Sequence, residues 1–160
     1  MIRPATASDA SRIAAIYNHY VEHTVVTFEE ERVPASEMRK RIETVSAHSP
    51  WLVWDEAGNV IAYAYALKWH ARAAYRLTVE TTVYVDSQHF RRGFGGALYG
   101  ALLEDLRERG FHCAIGCIAL PNESSVTLHE KLGFEKIGVF GEVGRKFGRW
   151  IDVGYWQLIL

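Results

Sequence analysis

A run rich in β-branched residues, Thr78 to Val85, passes through a short polar link into Arg91-Arg92-Gly93-Phe94-Gly95-Gly96, and an apolar helical pattern begins inside the glycines. Val79, Thr81, Val83 and Val85 fall on one face of that strand and Glu80, Thr82 and Tyr84 on the other. The helix continues to Arg109 and stops at Gly110, a C-cap residue. A helix N-terminus carries unpaired N–H groups and about half a positive charge. Glycines let an anion approach that backbone, and two arginines add full charges. The segment therefore predicts a diphosphate cradle. It is not a P-loop, because no lysine follows the glycines. It is not a Rossmann fingerprint either: Leu98 stands where a third glycine is needed, and Ile115-Gly116 where an acid would hold a ribose. A glycine-rich turn with two solvated arginines is the plainer alternative.

The rest of the chain pairs hairpins with a β–α–β stretch. Ile2-Arg3 reads as a first strand, and Thr6 with Asp9 as a capping box before a helix with Ile13, Ile16, Tyr17, Tyr20 and Val21 on one face. Pro34 to Val45 reads as a second helix, and Trp51–Trp54 and Val60–Trp69 as a hairpin around Glu56-Ala57-Gly58-Asn59. His112 to Ile118 is a strand, Pro121-Asn122 opens a helix to Leu132, and two strands follow around Glu135–Phe140 and Ile151–Leu160. The expectation is an α/β fold with a mixed sheet flanked by helices, one domain over residues 1–160. With 160 residues, 49% of them hydrophobic, one core suffices, and a net charge of −1 gives no pull toward nucleic acid or an anionic membrane. No signal peptide or bilayer-spanning run is read, so the expected location is the cytoplasm. Cys113 and Cys117 lie about 13 Å apart along one strand, too far for a disulfide, and are expected as buried free thiols rather than nucleophiles.

Strand, R-x-G-x-G-[GA], helix, strand, Asn122, helix and Leu132-Gly133-Phe134 together resemble the GCN5-related N-acetyltransferase (GNAT) family. The opening IRPATASDASRIAAIYN, with WHARAAYRLTVETTVYV, IALPNESSVTLHEKLGF and KFGRWIDVGYWQL, is similar to its phosphinothricin-type amino-acid acyltransferases over nearly the whole chain. The resemblance implies a mostly antiparallel central sheet, acetyl-CoA as cosubstrate with no metal, and a homodimer. It also implies direct acetylation of the α-amine of a small amino-acid-like acceptor, such as phosphinothricin, methionine sulfoximine or methionine sulfone. By the same resemblance Arg91, Arg92, Gly93, Phe94, Gly95 and Gly96 hold the diphosphate, although Phe90 stands where the family pattern has Gln or Arg. Val83, Tyr84 and Val85 would line the pantetheine and offer an oxyanion donor, with Asn122 and Ser124 as further coenzyme contacts.

The chemistry asks for a base, an oxyanion donor and a proton for the departing thiolate. An α-amine of pKa near 8 is about one-tenth neutral at pH 7, a lysine amine only about one part in 2,500, so a modest base serves an α-amine. Glu80, on an otherwise uncharged strand, is either a solvent-facing glutamate or a carboxylate aimed into a cavity, and the resemblance makes it the base. His129 reads as a packing residue or as a group titrating near neutrality, and the resemblance makes it the acid, or a second base. Asn122 is also an N-cap whatever else it does. Arg72 reads as a solvated loop arginine or as a carboxylate fork, and the resemblance makes Arg72 and Tyr75 acceptor-holding residues, with His70 in place of a second cation and Phe28 as a pocket wall. Phe147, Trp150, Tyr155 and Trp156, around Asp152, mark core or a dimer face. The rival readings are an acetyltransferase for a polyamine, aminoglycoside or protein amine, and a coenzyme A-binding module without catalysis.

Overall fold

The computed structural model describes residues 1–160. Seven strands form one sheet in the order β1-β2-β3-β4-β5-β7-β6. They are β1 (Ile2–Pro4), β2 (Trp51–Glu56), β3 (Asn59–Lys68), β4 (Thr78–Val85), β5 (Cys113–Ala119), β6 (Glu135–Lys146) and β7 (Arg149–Ile159). The helices are α1 (Ala10–His23), α2 (Ala35–Ser46), α3 (Phe94–Glu108) and α4 (Glu123–Lys131). Only β4 and β5 pair in parallel; every other ladder is antiparallel, as expected of a mixed sheet flanked by helices.

Each face of the sheet carries its own core. On one, α1 and α2 bury Ile13, Tyr17, Tyr20, Met38 and Ile42 against Trp51, Val53, Tyr63 and Tyr84. On the other, Leu98, Leu102, Leu103 and Leu106 of α3 lie over Ala62, Ala64 and Ala66 of β3. Three alanines beneath one helix leave room for its leucines to reach the sheet, and each leucine fully buried there contributes about 1.5–3 kcal/mol. The predicted capping box forms on its acidic side: Asp9 accepts the Thr6 amide at 2.8 Å and is itself gripped by Arg3 at 2.9 Å. Those bonds hold the Asp9 carboxyl down to about 2.

Two features set up the site. The parallel ladder ends at Glu80↔Ile115, while both strands run on to Val85 and Ala119. The next carbonyl of β4, that of Thr81, meets the Tyr99 hydroxyl at 3.4 Å. Past that point the sheet is open between β4 and β5. The second feature corrects the expected end of β6, which continues past Phe140 to Lys146 with a register shift between Phe140 and Gly144. Glu142 sits in the irregularity at φ 52°, its amide bound to Asp152 Oδ1 at 2.8 Å. An irregularity of this kind breaks the period-two pattern on which strand reading depends.

Candidate active site

The start of α3 is built for an anion. Gly93, its N-cap residue, has φ 83° and no side chain caps the helix. The first amide bonded back into the helix is that of Ala97, to the Gly93 carbonyl at 3.2 Å, so the amides of Phe94, Gly95 and Gly96 have no partner within the helix. A Cβ on Gly95 would sit 3.2 Å from Val85, so glycine lets this end of the helix lie close to β4. Arg91 and Arg92 are exposed beside it, the Arg92 guanidinium 5.0 Å from the centre of the Phe94 ring. Phe90 is exposed and leans toward Tyr20.

Below the cradle, β4 turns alternate backbone groups into the gap. Trp69 bonds to the Thr78 carbonyl and the Asp86 amide to Ile61, so even-numbered residues of β4 face β3 and odd-numbered ones face the opening. Val85 is already occupied, its carbonyl accepting from the Tyr20 hydroxyl at 2.6 Å and its amide lying 3.3 Å from the same oxygen. Tyr84 pairs with Tyr63 on β3, and its ring is buried among Tyr17, Tyr20 and Tyr63. Of the three residues read from sequence, Val83 is the one whose backbone faces the gap without a ladder partner. Asn122 caps α4, its Oδ1 accepting the Ser125 amide at 3.1 Å, which leaves its amide nitrogen for another contact. Ser124 is exposed on the same turn.

A cavity of about 280 Å³ passes through the opening. Glu80, Tyr65, Leu67 and Cys117 wall it on one face of the sheet, and Thr81, Ser125 and His129 on the other. Tyr17 and Phe28 close it from the side of α1. Glu80 has no hydrogen-bond partner or ion pair, and burial raises its carboxyl above the usual carboxylate range, with His70 opposing in part. Cys113 is buried as expected, but Cys117 is exposed on the cavity wall, because the second half of β5 has no β4 neighbour. Desolvation by the surrounding cavity walls and the nearby Glu80 charge raise its thiol, which keeps it protonated and a poor nucleophile.

His129 is nearly fully buried, and burial lowers its pKa, so the ring is neutral at pH 7. Its Nδ1 lies 2.8 Å from the Ser125 carbonyl and its Nε2 3.0 Å from the Tyr99 hydroxyl, which in turn lies 2.6 Å from Thr81 Oγ1. The ring lies against Gly116, where a Cβ would stand 2.5 Å from its Cδ2. Glycine inside a strand signals close approach of another group, so Gly116 was a readable sign of this contact. Tyr65, Thr81, Tyr99 and Ser125 gave no such sign, since each fits an ordinary buried or helical position.

The acceptor side is assembled from distant segments. Lys146 Nζ donates to the Thr27 carbonyl at 2.8 Å, and the Phe28 ring occupies the space over Gly144 that a side chain would fill. Phe28 therefore reaches the cavity with Glu80, Val83 and His129. Arg72 and Tyr75 do not wall it. They lie on the exposed β3–β4 loop, Tyr75 against His70. No three His, Cys, Asp or Glu side chains come together to hold a metal ion, and no helix is long and apolar enough to cross a membrane.

Residues 2–154 match the Acetyltransferase (GNAT) domain. The chain is 44% identical to a phosphinothricin N-acetyltransferase of Streptomyces viridochromogenes over 98% of its length and 85% of that protein. It is 38% identical to an L-methionine sulfoximine/L-methionine sulfone acetyltransferase of Pseudomonas aeruginosa, over 99% of this chain and 94% of that one. A phosphinothricin acetyltransferase of Sinorhizobium meliloti, solved in complex with AcCoA, superposes with a TM-score of 0.96 at 37% identity, covering 100% of this chain and 88% of that one. With its uncapped helix start, its opened parallel pair and these relatives, the chain belongs to the GNAT family of acetyltransferases.

Proposed function

We propose that this chain is an N-acetyltransferase that moves the acetyl group of acetyl-CoA to the α-amine of a small amino-acid-like acceptor, of the phosphinothricin, methionine sulfoximine or methionine sulfone type. The observation that carries this reading is the cavity through the β4–β5 opening, which sets the unpartnered Glu80 carboxylate beside a gap leading to the uncapped start of α3. The residues present fit the cosubstrate: three free amides and two arginines suit a diphosphate, and the gap beside Val83 suits an extended arm that adds to the strand. Arg91, Arg92, Gly93, Phe94, Gly95 and Gly96 hold the diphosphate, Asn122 and Ser124 contact the arm, and bound acetyl-CoA supplies an activated acetyl thioester.

Glu80 takes a proton from the acceptor ammonium. A carboxyl raised by burial is closer in pKa to an α-ammonium than a solvated one, which eases the transfer. The Val83 amide donates to the carbonyl oxygen as charge develops there. His129, neutral at rest, takes the second proton that the nitrogen sheds and returns one to sulfur. Phe28 walls the acceptor. Leu67 and Glu80 are cavity residues at either end of the loop that carries Arg72 and Tyr75, so this loop stands at the mouth, where Arg72 can grip a carboxylate.

The working form is a cytoplasmic homodimer, a single catalytic unit in each chain. Ile137, Phe140, Val143, Phe147 and Trp150 are each more than half exposed along β6 and β7, an apolar surface suited to a second copy. The test is thiol release from acetyl-CoA with a panel of amines, followed by identification of the product. The reading expects α-N-acetyl products from methionine sulfone or phosphinothricin analogues. Preference for polyamines, aminoglycosides or lysine side chains, or coenzyme binding without turnover of any amine, overturns it.

A further inference from the structure

Tyr99 lies in the middle of α3, fully buried, with no position on the cavity wall, yet its hydroxyl joins His129 Nε2 to Thr81, two residues that both line it. The short contacts in this cluster favour one arrangement over the longer ones, which run at 3.4 Å from the Tyr99 hydroxyl to the Thr81 carbonyl and from Thr81 Oγ1 to the Ile115 carbonyl. The Ser125 carbonyl can only accept, so the 2.8 Å contact at Nδ1 requires a proton there. A neutral ring then has a lone pair at Nε2, and the Tyr99 hydroxyl must donate to it across 3.0 Å. With its proton committed, Tyr99 can only accept from Thr81 Oγ1 at 2.6 Å. Every donor thus points the same way, from Thr81 through Tyr99 and His129 to the Ser125 carbonyl. Ser125 Oγ, 3.4 Å from Nδ1, is the remaining polar neighbour, and Tyr99 and Phe134 meet the ring edge-on. The neighbouring Glu130 turns away to accept the Trp156 indole N–H.

We infer that Tyr99 is a positioning residue for His129, and that its hydroxyl is the link through which the imidazole exchanges protons with Thr81 on the cavity wall. The ring is held between a carbonyl on one side and a phenol on the other, in a slot that only Gly116 leaves open. A proton arriving at Nε2 leaves by the same route: Tyr99 accepts it and passes its own to Thr81, Thr81 releases its own to the departing thiolate in the cavity, and each oxygen ends with one hydrogen. This inference deepens the proton-carrying role proposed for His129 and rests on it.

Nitrogen-15 spectra of the histidine-labelled enzyme without ligand test the geometry separately from catalysis. In the natural protein His129 is expected protonated at Nδ1 and unprotonated at Nε2, the latter shifted upfield by a hydrogen bond. Tyr99→Phe, which keeps the ring, is expected to move Nε2 downfield to the position of a free imidazole nitrogen. It should also lower kcat by about tenfold or more with little change in the acetyl-CoA KM. Thr81→Val is expected to lower kcat similarly while leaving the Nε2 resonance in place. A proton on Nε2 in the natural protein overturns the inference even if neither variant folds. A Tyr99→Phe enzyme with reduced Tm but unchanged kcat makes Tyr99 merely structural. If the spectra are as expected but His129→Ala retains full kcat, the proton-carrying role fails, and the inference falls with it.

Discussion

The Lys146 ammonium and the Thr27 carbonyl meet at 2.8 Å across 119 residues of sequence, and this bond fixes the loop that carries Phe28 to the cavity. Lys146 is buried, and burial lowers its pKa with the charges of Glu30 and Glu29 opposing in part; its Nζ ties β6 to the α1 loop through the Thr27 carbonyl. Gly144, two residues earlier, leaves the space that the Phe28 ring fills.

Gly144→Ala places a methyl group inside the Phe28 ring, so the loop must shift. The acceptor KM is expected to rise by about tenfold or more, since small displacements of positioning groups are costly, while the acetyl-CoA KM stays near its original value. Steady-state kinetics with each substrate varied in turn checks this.

Glu80→Gln should separate activity from stability. Loss of the base is expected to lower kcat for an α-amine by about a hundredfold or more and to remove the acidic limb of its pH profile. The folded-state pKa of Glu80 is raised, so the folded protein binds more protons than the unfolded chain between the ordinary glutamate value of 4.5 and the raised one. Stability therefore falls as pH rises through that window, and above it the ionised carboxylate is a standing cost. Glu80→Gln should raise Tm at pH 7 and change it little at pH 4, measured by thermal melts at both values.

Much of this arrangement was legible in the order of residues, and the remainder depends on contacts no local pattern records. The limits of β4, the glycine entry to α3, its stop at Gly110 and the Asn122 cap all follow from short-range rules and recur in the structure. Glu80 stood out because a lone carboxylate on an apolar strand needs a reason. The opening beyond Glu80↔Ile115 did not, because both strands keep a regular pattern through it. Lys146 was unreadable since the irregularity before it hides the continuation of β6, and Tyr99 since its ring looks like any core aromatic. Cys117 was misjudged for a related reason: burial of a strand residue depends on a neighbour that diverges.

Gly95→Val tests the close approach of α3 to β4. Its Cβ would stand 3.2 Å from Val85, and the added methyls obstruct the free amides. The acetyl-CoA KM should increase by about tenfold, with the acceptor KM unaffected, and coenzyme A titration calorimetry should show the same loss.

Arg72→Ala addresses the mouth of the cavity. If Arg72 grips the acceptor carboxylate, the KM for a free amino acid should rise by about ten- to a hundredfold, in line with loss of a charge-assisted pair of about 1.5–3 kcal/mol. The KM for its methyl ester should scarcely move. Equal changes for acid and ester would assign Arg72 to solvent.

A crystal structure with coenzyme A and an acceptor analogue bound is the decisive measurement for the cradle at the start of α3 and for Glu80. The diphosphate is expected within hydrogen-bonding reach of the Phe94, Gly95 and Gly96 amides, the sulfur in the opening beside Val83, and the acceptor nitrogen facing Glu80. A diphosphate bound away from the start of α3, or an acceptor nitrogen out of reach of Glu80, would contradict these assignments.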